Sequence, residues 1–167
     1  MKQEQEKSSE SLKEQAQELL QRAYRLQMSG HLNEAIESYK ESIQLFPTAE
    51  AYTFLGWAYS FTGDYEQAIE ECKEAIELDP DFGNPYNDIG AYLIQEGEFD
   101  EAIPYLELAM KARRYATPHF PHYNYGRILE RRGLWFEALD EYKSALKIEP
   151  NYSLAKDAFY RLQALLN

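Results

Sequence analysis

Histidine, cysteine and carboxylate side chains carry most of the chemistry open to a protein at neutral pH, and this chain has three histidines, one cysteine and 29 acidic residues. His119 and His122 stand three apart, a spacing that on a continuous helix would bring two imidazoles to one metal ion. Pro121 interrupts them and no third ligand lies nearby. Both are therefore expected to be solvent-exposed loop residues, and no metal site is expected. Cys72 falls on an apolar helical stripe with Ala68, Ile69, Ala75 and Ile76, so it reads as a small buried hydrophobe rather than a nucleophile. There is no glycine-rich phosphate loop and no G-x-S-x-G elbow. The sequence predicts no catalytic residue, no cofactor and no enzyme.

Binding is the alternative, and the charge narrows it. The 29 acidic residues face 17 basic ones, giving a formal charge of −12 over 167 residues. A field of that sign repels nucleic acid and anionic membrane surfaces, so neither is expected as a partner. Between Lys111 and Arg132 the balance reverses: Lys111, Arg113, Arg114, Arg127, Arg131 and Arg132 face Glu130 alone. With 44% apolar and 14% aromatic residues the chain can bury a core. One cysteine excludes an internal disulfide framework and suits a reducing compartment. The first 17 residues contain no apolar stretch of a secretory signal, and no run has the length of a membrane helix. A cytoplasmic protein is expected.

What must position any binding residue is a repeat. GHLNEAIESYKESIQLFP, GDYEQAIEECKEAIELDP, GEFDEAIPYLELAMKARR and GLWFEALDEYKSALKIEP begin at Gly30, Gly63, Gly97 and Gly133, at spacings of 33, 34 and 36 residues. Ala35, Ala68, Ala102 and Ala138 keep the same intervals. Each unit divides into two helical patterns. Tyr52, Leu55, Gly56 and Tyr59 mark one face of a first helix, and Tyr65, Ala68, Ile69, Cys72, Ala75 and Ile76 mark a second. Gly63-Asp64 is the turn between them, with Asp64 as N-cap. Pro47, Pro80 and Pro150 close three of the units. Gly56, Gly90 and Gly126 are expected where the two helices touch, since any side chain there would push them apart.

The pattern Tyr52-x-x-Leu55-Gly56-x-x-Tyr59, followed by Ala68, Ala75 and Pro80, resembles the tetratricopeptide (TPR) signature, with a period of about 34 residues. The resemblance runs from Ala16 to Tyr152. It implies an all-α fold: a right-handed α-solenoid of four helix-turn-helix units plus a C-terminal capping helix, about nine helices in all. The expected division is a polar, flexible tail over 1–11, units at 12–48, 49–82, 83–118 and 119–152, and the cap at 153–167. Ser11 and Glu14 form a capping box that predicts a helix start near Leu12. Two departures have expected consequences. Ala23 replaces the usual glycine, which widens the first hairpin, and Arg114 replaces the usual proline, which lets the preceding helix run on. Pro104 lies inside a predicted helix and costs it a backbone hydrogen bond. The segment Ala112–His122 holds the two extra residues and reads as a tolerated insertion.

The resemblance further implies a concave groove lined by the first helices, in which a peptide or partner helix lies. Once core residues are set aside, Phe54, Trp57 and Phe61 remain on a second face of the helix 49–62. Two readings stay open: these rings line the groove, or they are consumed by repeat-to-repeat packing against Leu20 and Tyr24. Asn84, Asn87, Tyr123, Asn124, Arg127 and Arg131 resemble groove positions farther along, whereas Arg132, Arg113 and Lys111 are expected to pair with nearby acids. Tyr24, Phe54, Trp57, Asn84, Asn87, Tyr123, Asn124, Arg127 and Arg131 are thus the candidate peptide-binding residues, for a protein partner with apolar anchors and an acidic stretch. The clamp that chaperone-binding family members use is missing, because Leu20 and Tyr24 stand where it would begin. The competing expectation is a structural protein that forms homo-oligomers through its solenoid ends.

Overall fold

The computed structural model of the protein describes residues 2–166, with side chains from Ser9 onward. Nine helices follow one another among the described residues: α1 (Lys2–Met28), α2 (Leu32–Leu45), α3 (Ala49–Thr62), α4 (Tyr65–Leu78), α5 (Gly83–Glu96), α6 (Phe99–Lys111), α7 (His119–Arg131), α8 (Trp135–Ile148) and α9 (Ser153–Leu166). They fall into two compact units, Met1–Pro80 and Asp81–Asn167. In the first, α1 pairs with α2 and α3 with α4; in the second, α5 pairs with α6 and α7 with α8, and α9 packs on α8.

Every hairpin turns in the same way. Gly30, Gly63, Gly97 and Gly133 have φ between 74° and 86°, the left-handed region in which a Cβ is strained. The residue after each glycine then donates its N–H back to the first helix: His31 to Leu26, Asp64 to Tyr59, Glu98 to Leu93 and Leu134 to Leu129, at 2.9–3.2 Å. Orphan carbonyls at the helix end are thereby satisfied. Asp64 goes on to cap α4, its Oδ1 accepting from the Gln67 N–H at 3.1 Å.

Close approach within each pair depends on a residue with little or no side chain. A Cβ on Gly56 would lie 2.7 Å from the Ala68 carbonyl oxygen and 3.1 Å from Cys72 Sγ; one on Gly90 would meet Leu106 and one on Gly126 would meet Tyr142, both at 2.5 Å. The facing alanines Ala35, Ala68, Ala102 and Ala138 are fully buried. Four residues beyond each alanine stand Tyr39, Cys72, Leu106 and Tyr142, all buried. Where that residue is tyrosine, its hydroxyl finds an acceptor on the first helix: Tyr39 donates to Gln27 Oε1 at 2.8 Å and Tyr142 to Glu130 Oε2 at 2.9 Å. Where it is Cys72 or Leu106 no phenol needs an acceptor, and the matching first-helix positions hold Ser60 and Ile94. The partner thus tracks the donor, because a buried hydroxyl left unpaired costs about 1–3 kcal/mol.

Several expectations are corrected. α1 begins at Lys2 rather than near Leu12. Ser11 does not cap a helix; its Oγ accepts from Gln15 Nε2 at 3.2 Å, and the preceding Lys, Gln and Glu residues are good helix formers with no proline or glycine among them. α6 does not run on but stops at Lys111, with Ala112 extended. Its stop is imposed by docking of the next loop onto α5. Arg114 N–H donates to the Asp81 carbonyl at 2.9 Å, Gly83 N–H donates to the Arg114 carbonyl at 3.0 Å, and the Arg114 guanidinium lies 4.0 Å from the Phe82 ring centroid. Tyr115 presses on Gly83 so closely that a Cβ there would come within 2.4 Å of the ring. The two-residue insertion is therefore a strap, not slack. Pro121 likewise does not interrupt: it is the third residue of α7, where the N–H has no helical acceptor to lose. α6 continues through Pro104 and forgoes one backbone bond.

Candidate functional site

The first unit carries an aromatic surface on its two first helices. α1 supplies Tyr24 and α3 supplies Phe54, Trp57 and Phe61, and the rings form a chain: Tyr24–Phe54 5.7 Å, Tyr24–Trp57 6.4 Å, Phe54–Trp57 6.3 Å and Trp57–Phe61 5.3 Å between centroids. Their roles divide along α3. Phe54 stacks on the buried Tyr39 ring at 6.1 Å and packs against the core of the unit. Trp57 is half-buried, whereas Tyr24 and Phe61 keep 42% and 57% of their surface exposed. Large rings in mutual contact yet open to water are unusual on a chain that needs only to stay folded.

The second unit carries a polar ladder along the first helices α5 and α7. Arg127 Nη1 donates to Asn124 Oδ1 at 3.2 Å, Asn124 Nδ2 donates to Asn87 Oδ1 at 3.0 Å, and Asn87 Nδ2 donates to Asp88 Oδ1 at 3.4 Å. Asn87 and Asn124 are buried and joined by that one bond; Asn84, on the first turn of α5, is half-buried and takes no part in the ladder. Part of Asp88 reaches the surface, but its carboxyl is crowded by protein, and this desolvation pushes its pKa up to about 7 against the opposing pull of the Asn87 amide.

Beside the ladder a cleft of about 310 Å³ opens between α7, α8 and α9, lined by Tyr123, Arg127, Glu130, Arg131, Tyr142 and Arg161. Glu130 is held by Arg161 through two guanidinium nitrogens, at 2.7 and 2.8 Å, and by the Tyr142 hydroxyl. The Arg161 bonds are the main reason its pKa is lowered. Arg127 lies over the Tyr123 ring at 5.8 Å and Arg131 over Phe99 at 5.8 Å, and among the described residues no carboxylate forms an ion pair with either. Arg132, by contrast, is tied to Asp100, as expected of it.

The histidines are placed differently from the sequence expectation. His119 is buried, its ring 4.2 Å from Phe120 and 4.9 Å from Tyr152, and burial lowers its pKa. His122 is half-buried and bonded through Nδ1 to Glu141 at 2.8 Å. Both belong to α7 rather than to a loop, because Pro118 and Pro121 suit a helix start. Among the described residues no group of three or more potential ligands could hold a metal, and no helix is long and apolar enough to cross a membrane. Arg161 and the cleft around it escaped the sequence reading, since nothing in spacing relates α9 to Glu130. A second omission was legible: Leu134, Trp135 and Phe136 at the start of α8 are 42%, 49% and 71% exposed. In the other copies the first and third of these positions are polar: His31 and Asn33, Asp64 and Glu66, Glu98 and Asp100.

Hairpins of this length, closed by glycine in the same left-handed turn and packed through one small residue, define a helical repeat protein of the α-solenoid class. Two tetratricopeptide repeat family models match, over residues 49–82 and 87–153, and the chain belongs to the tetratricopeptide repeat family. No curated protein sequence matches it. Among solved structures, MamA is similar at 29% identity over 83% of this chain and 80% of that one, with a TM-score of 0.70. PilF of Pseudomonas aeruginosa is similar in fold at 18% identity over 91% and 69% of the two chains, with a TM-score of 0.84. YrrB, described as a TPR protein with an unusual peptide-binding site, shares the fold at 21% identity over 88% and 75%, with a TM-score of 0.65.

Proposed function

We propose that this protein is a non-enzymatic interaction scaffold that holds a peptide or helix of another protein against its first helices. The observation that carries this reading is the aromatic surface of the first unit. Phe54 is consumed by the core, while Tyr24, Trp57 and Phe61 continue from it as a connected row, exposed at Tyr24 and Phe61 and half-buried at Trp57. Rings of this kind desolvate an apolar anchor at little cost in side-chain entropy. In the second unit Arg127 and Arg131 meet acidic residues of the partner, with Tyr123 beneath Arg127 and the bonded pair Asn87–Asn124 fixing its position. The peptide-binding description of YrrB agrees with this class of function. A buried lone cysteine supports a reducing, cytoplasmic setting.

Affinity capture with the wild type and with Trp57→Ala and Arg127→Glu proteins, each also followed through thermal unfolding, tests the reading. A partner retained by the wild type and lost from both variants is the expected result. Identical capture by all three, or a large fall in melting temperature of Trp57→Ala, would remove the support. A second reading, self-association, rests on one observation: the exposed apolar triplet Leu134–Phe136.

A further inference from the structure

We propose that the cleft between α7, α8 and α9 is a seat for a side-chain carboxylate of the bound protein, with Arg161 of the C-terminal helix as its third cation. This inference rests on the scaffold reading above and adds to it both a ligand chemistry and a role for α9 beyond covering the last hairpin.

The charges of the cleft do not balance. Three guanidinium groups, from Arg127, Arg131 and Arg161, surround one carboxylate, that of Glu130. Glu130 is already engaged at both oxygens by Arg161 and at one by Tyr142. Neither Arg127 nor Arg131 hydrogen-bonds to it, although, after the Arg161 bonds, the Arg131 charge helps to hold its pKa down; the two stand four apart on α7 and so share a face where like charges repel. Among the described residues no acid forms an ion pair with either arginine, and two neighbouring arginines left so in a chain of net charge −12 mark a place kept open for an anion from outside.

The components for receiving one are in position. Arg127 is steadied by the Asn124 carbonyl oxygen and the Tyr123 ring, and Arg131 by the Phe99 ring. Arg161 is half-exposed, and its fork with Glu130 employs only two of the five N–H donors a guanidinium carries. Glu130 thereby serves as a positioning residue: it anchors Arg161 to α7 and sets one wall of the cleft. A volume of about 310 Å³ admits an acidic side chain with its adjoining backbone. Carboxylate and phosphate share the oxyanion geometry that these forks recognise. We commit to the carboxylate, because the field of a chain of net charge −12 opposes a dianion more strongly than a singly charged carboxylate.

The test uses the full chain and three hexapeptides: hexaglutamate, hexaglutamine and a phosphoserine-containing hexaglutamine. Binding is followed at low salt through the arginine Nε–H resonances and by calorimetry. Hexaglutamate is expected to saturate shifts at Arg127, Arg131 and Arg161, hexaglutamine to give none, and added salt to abolish binding. Arg161→Ala should weaken hexaglutamate binding about five- to ten-fold and Arg161→Lys should recover part of it, as expected for loss of one charge-assisted contact. Equal melting temperatures would confirm that α9 stays docked through Ala155, Ala158 and Leu162. Wild-type affinity in Arg161→Ala, with loss in Arg127→Glu, would overturn the role of α9 while leaving the scaffold reading intact. Absence of saturable hexaglutamate binding, or tighter binding of the phosphopeptide, would overturn the carboxylate assignment. The Trp57→Ala capture result is independent of either outcome.

Discussion

Burial moves single residues of this protein away from their ordinary chemistry. Asp88 is the clearest case. Its ordinary carboxyl value is 3.8, and desolvation raises it to about 7 in the folded chain. The native state therefore holds the proton more tightly than the unfolded state does, so this group lowers stability as pH rises from about 4 to about 7. Melting temperature should fall across that interval in the wild type and fall less in Asp88→Asn, which keeps an acceptor for the Asn87 amide. An identical pH profile in the two proteins would show that the Asp88 proton has no such linkage. Glu130 acts in the opposite sense, since Arg161 holds its pKa down; its contribution is present above the ordinary value of 4.5 and is lost as pH falls through the lowered one.

The α-helical hairpin is the element on which the fold is written, and its interior follows a two-position rule. A tyrosine four residues after the buried alanine is accompanied by an acceptor on the first helix, as Tyr39 is by Gln27 and Tyr142 by Glu130. Replacing Gln27 by Leu should cost about 1–3 kcal/mol, because the Tyr39 hydroxyl is left without its acceptor. Adding Tyr39→Phe to that change should recover much of the loss. Urea unfolding of the two single variants and the double variant measures the coupling, and additive effects would contradict the rule. The glycine spacing, the turn residues and the helix register were all legible in the sequence, because each follows from neighbours within one hairpin. The strap of Arg114 and Tyr115 on Phe82 and Gly83 was not. It joins segments about thirty residues apart through backbone bonds, which leave no periodic mark in the sequence.

Across the whole molecule, charge and apolar surface pull in opposite directions. The formal charge of −12 disfavours self-association at low salt, while Leu134, Trp135 and Phe136 offer an apolar site whose first and third positions are polar in the other copies. Leucine at that N-cap forgoes about 1 kcal/mol that a capping side chain would supply, a local loss consistent with a role at the surface. If the triplet joins copies of the chain, light scattering over a concentration series at high salt should show mass growing with concentration, and Phe136→Glu should hold the chain monomeric. A constant mass in both proteins would remove self-association and leave the triplet as contact surface for a different protein.

The sequence by itself determined the helical hairpins, their number, their turns and the small residues at their contacts, because a 34-residue pattern of glycine, alanine and aromatic residues permits only one local solution. It also pointed to the candidate binding side chains, though not to what each one does. The tertiary structure alone separated Phe54, which stacks on Tyr39 in the core, from Trp57 and Phe61, which carry the surface onward. Burial of His119, the mutual bonding of Asn87 and Asn124, and the placement of Arg161 at Glu130 were settled at the same level. Periodicity shows which face of a helix a residue occupies. What covers that face depends on residues far away in the chain, and only folding brings them together.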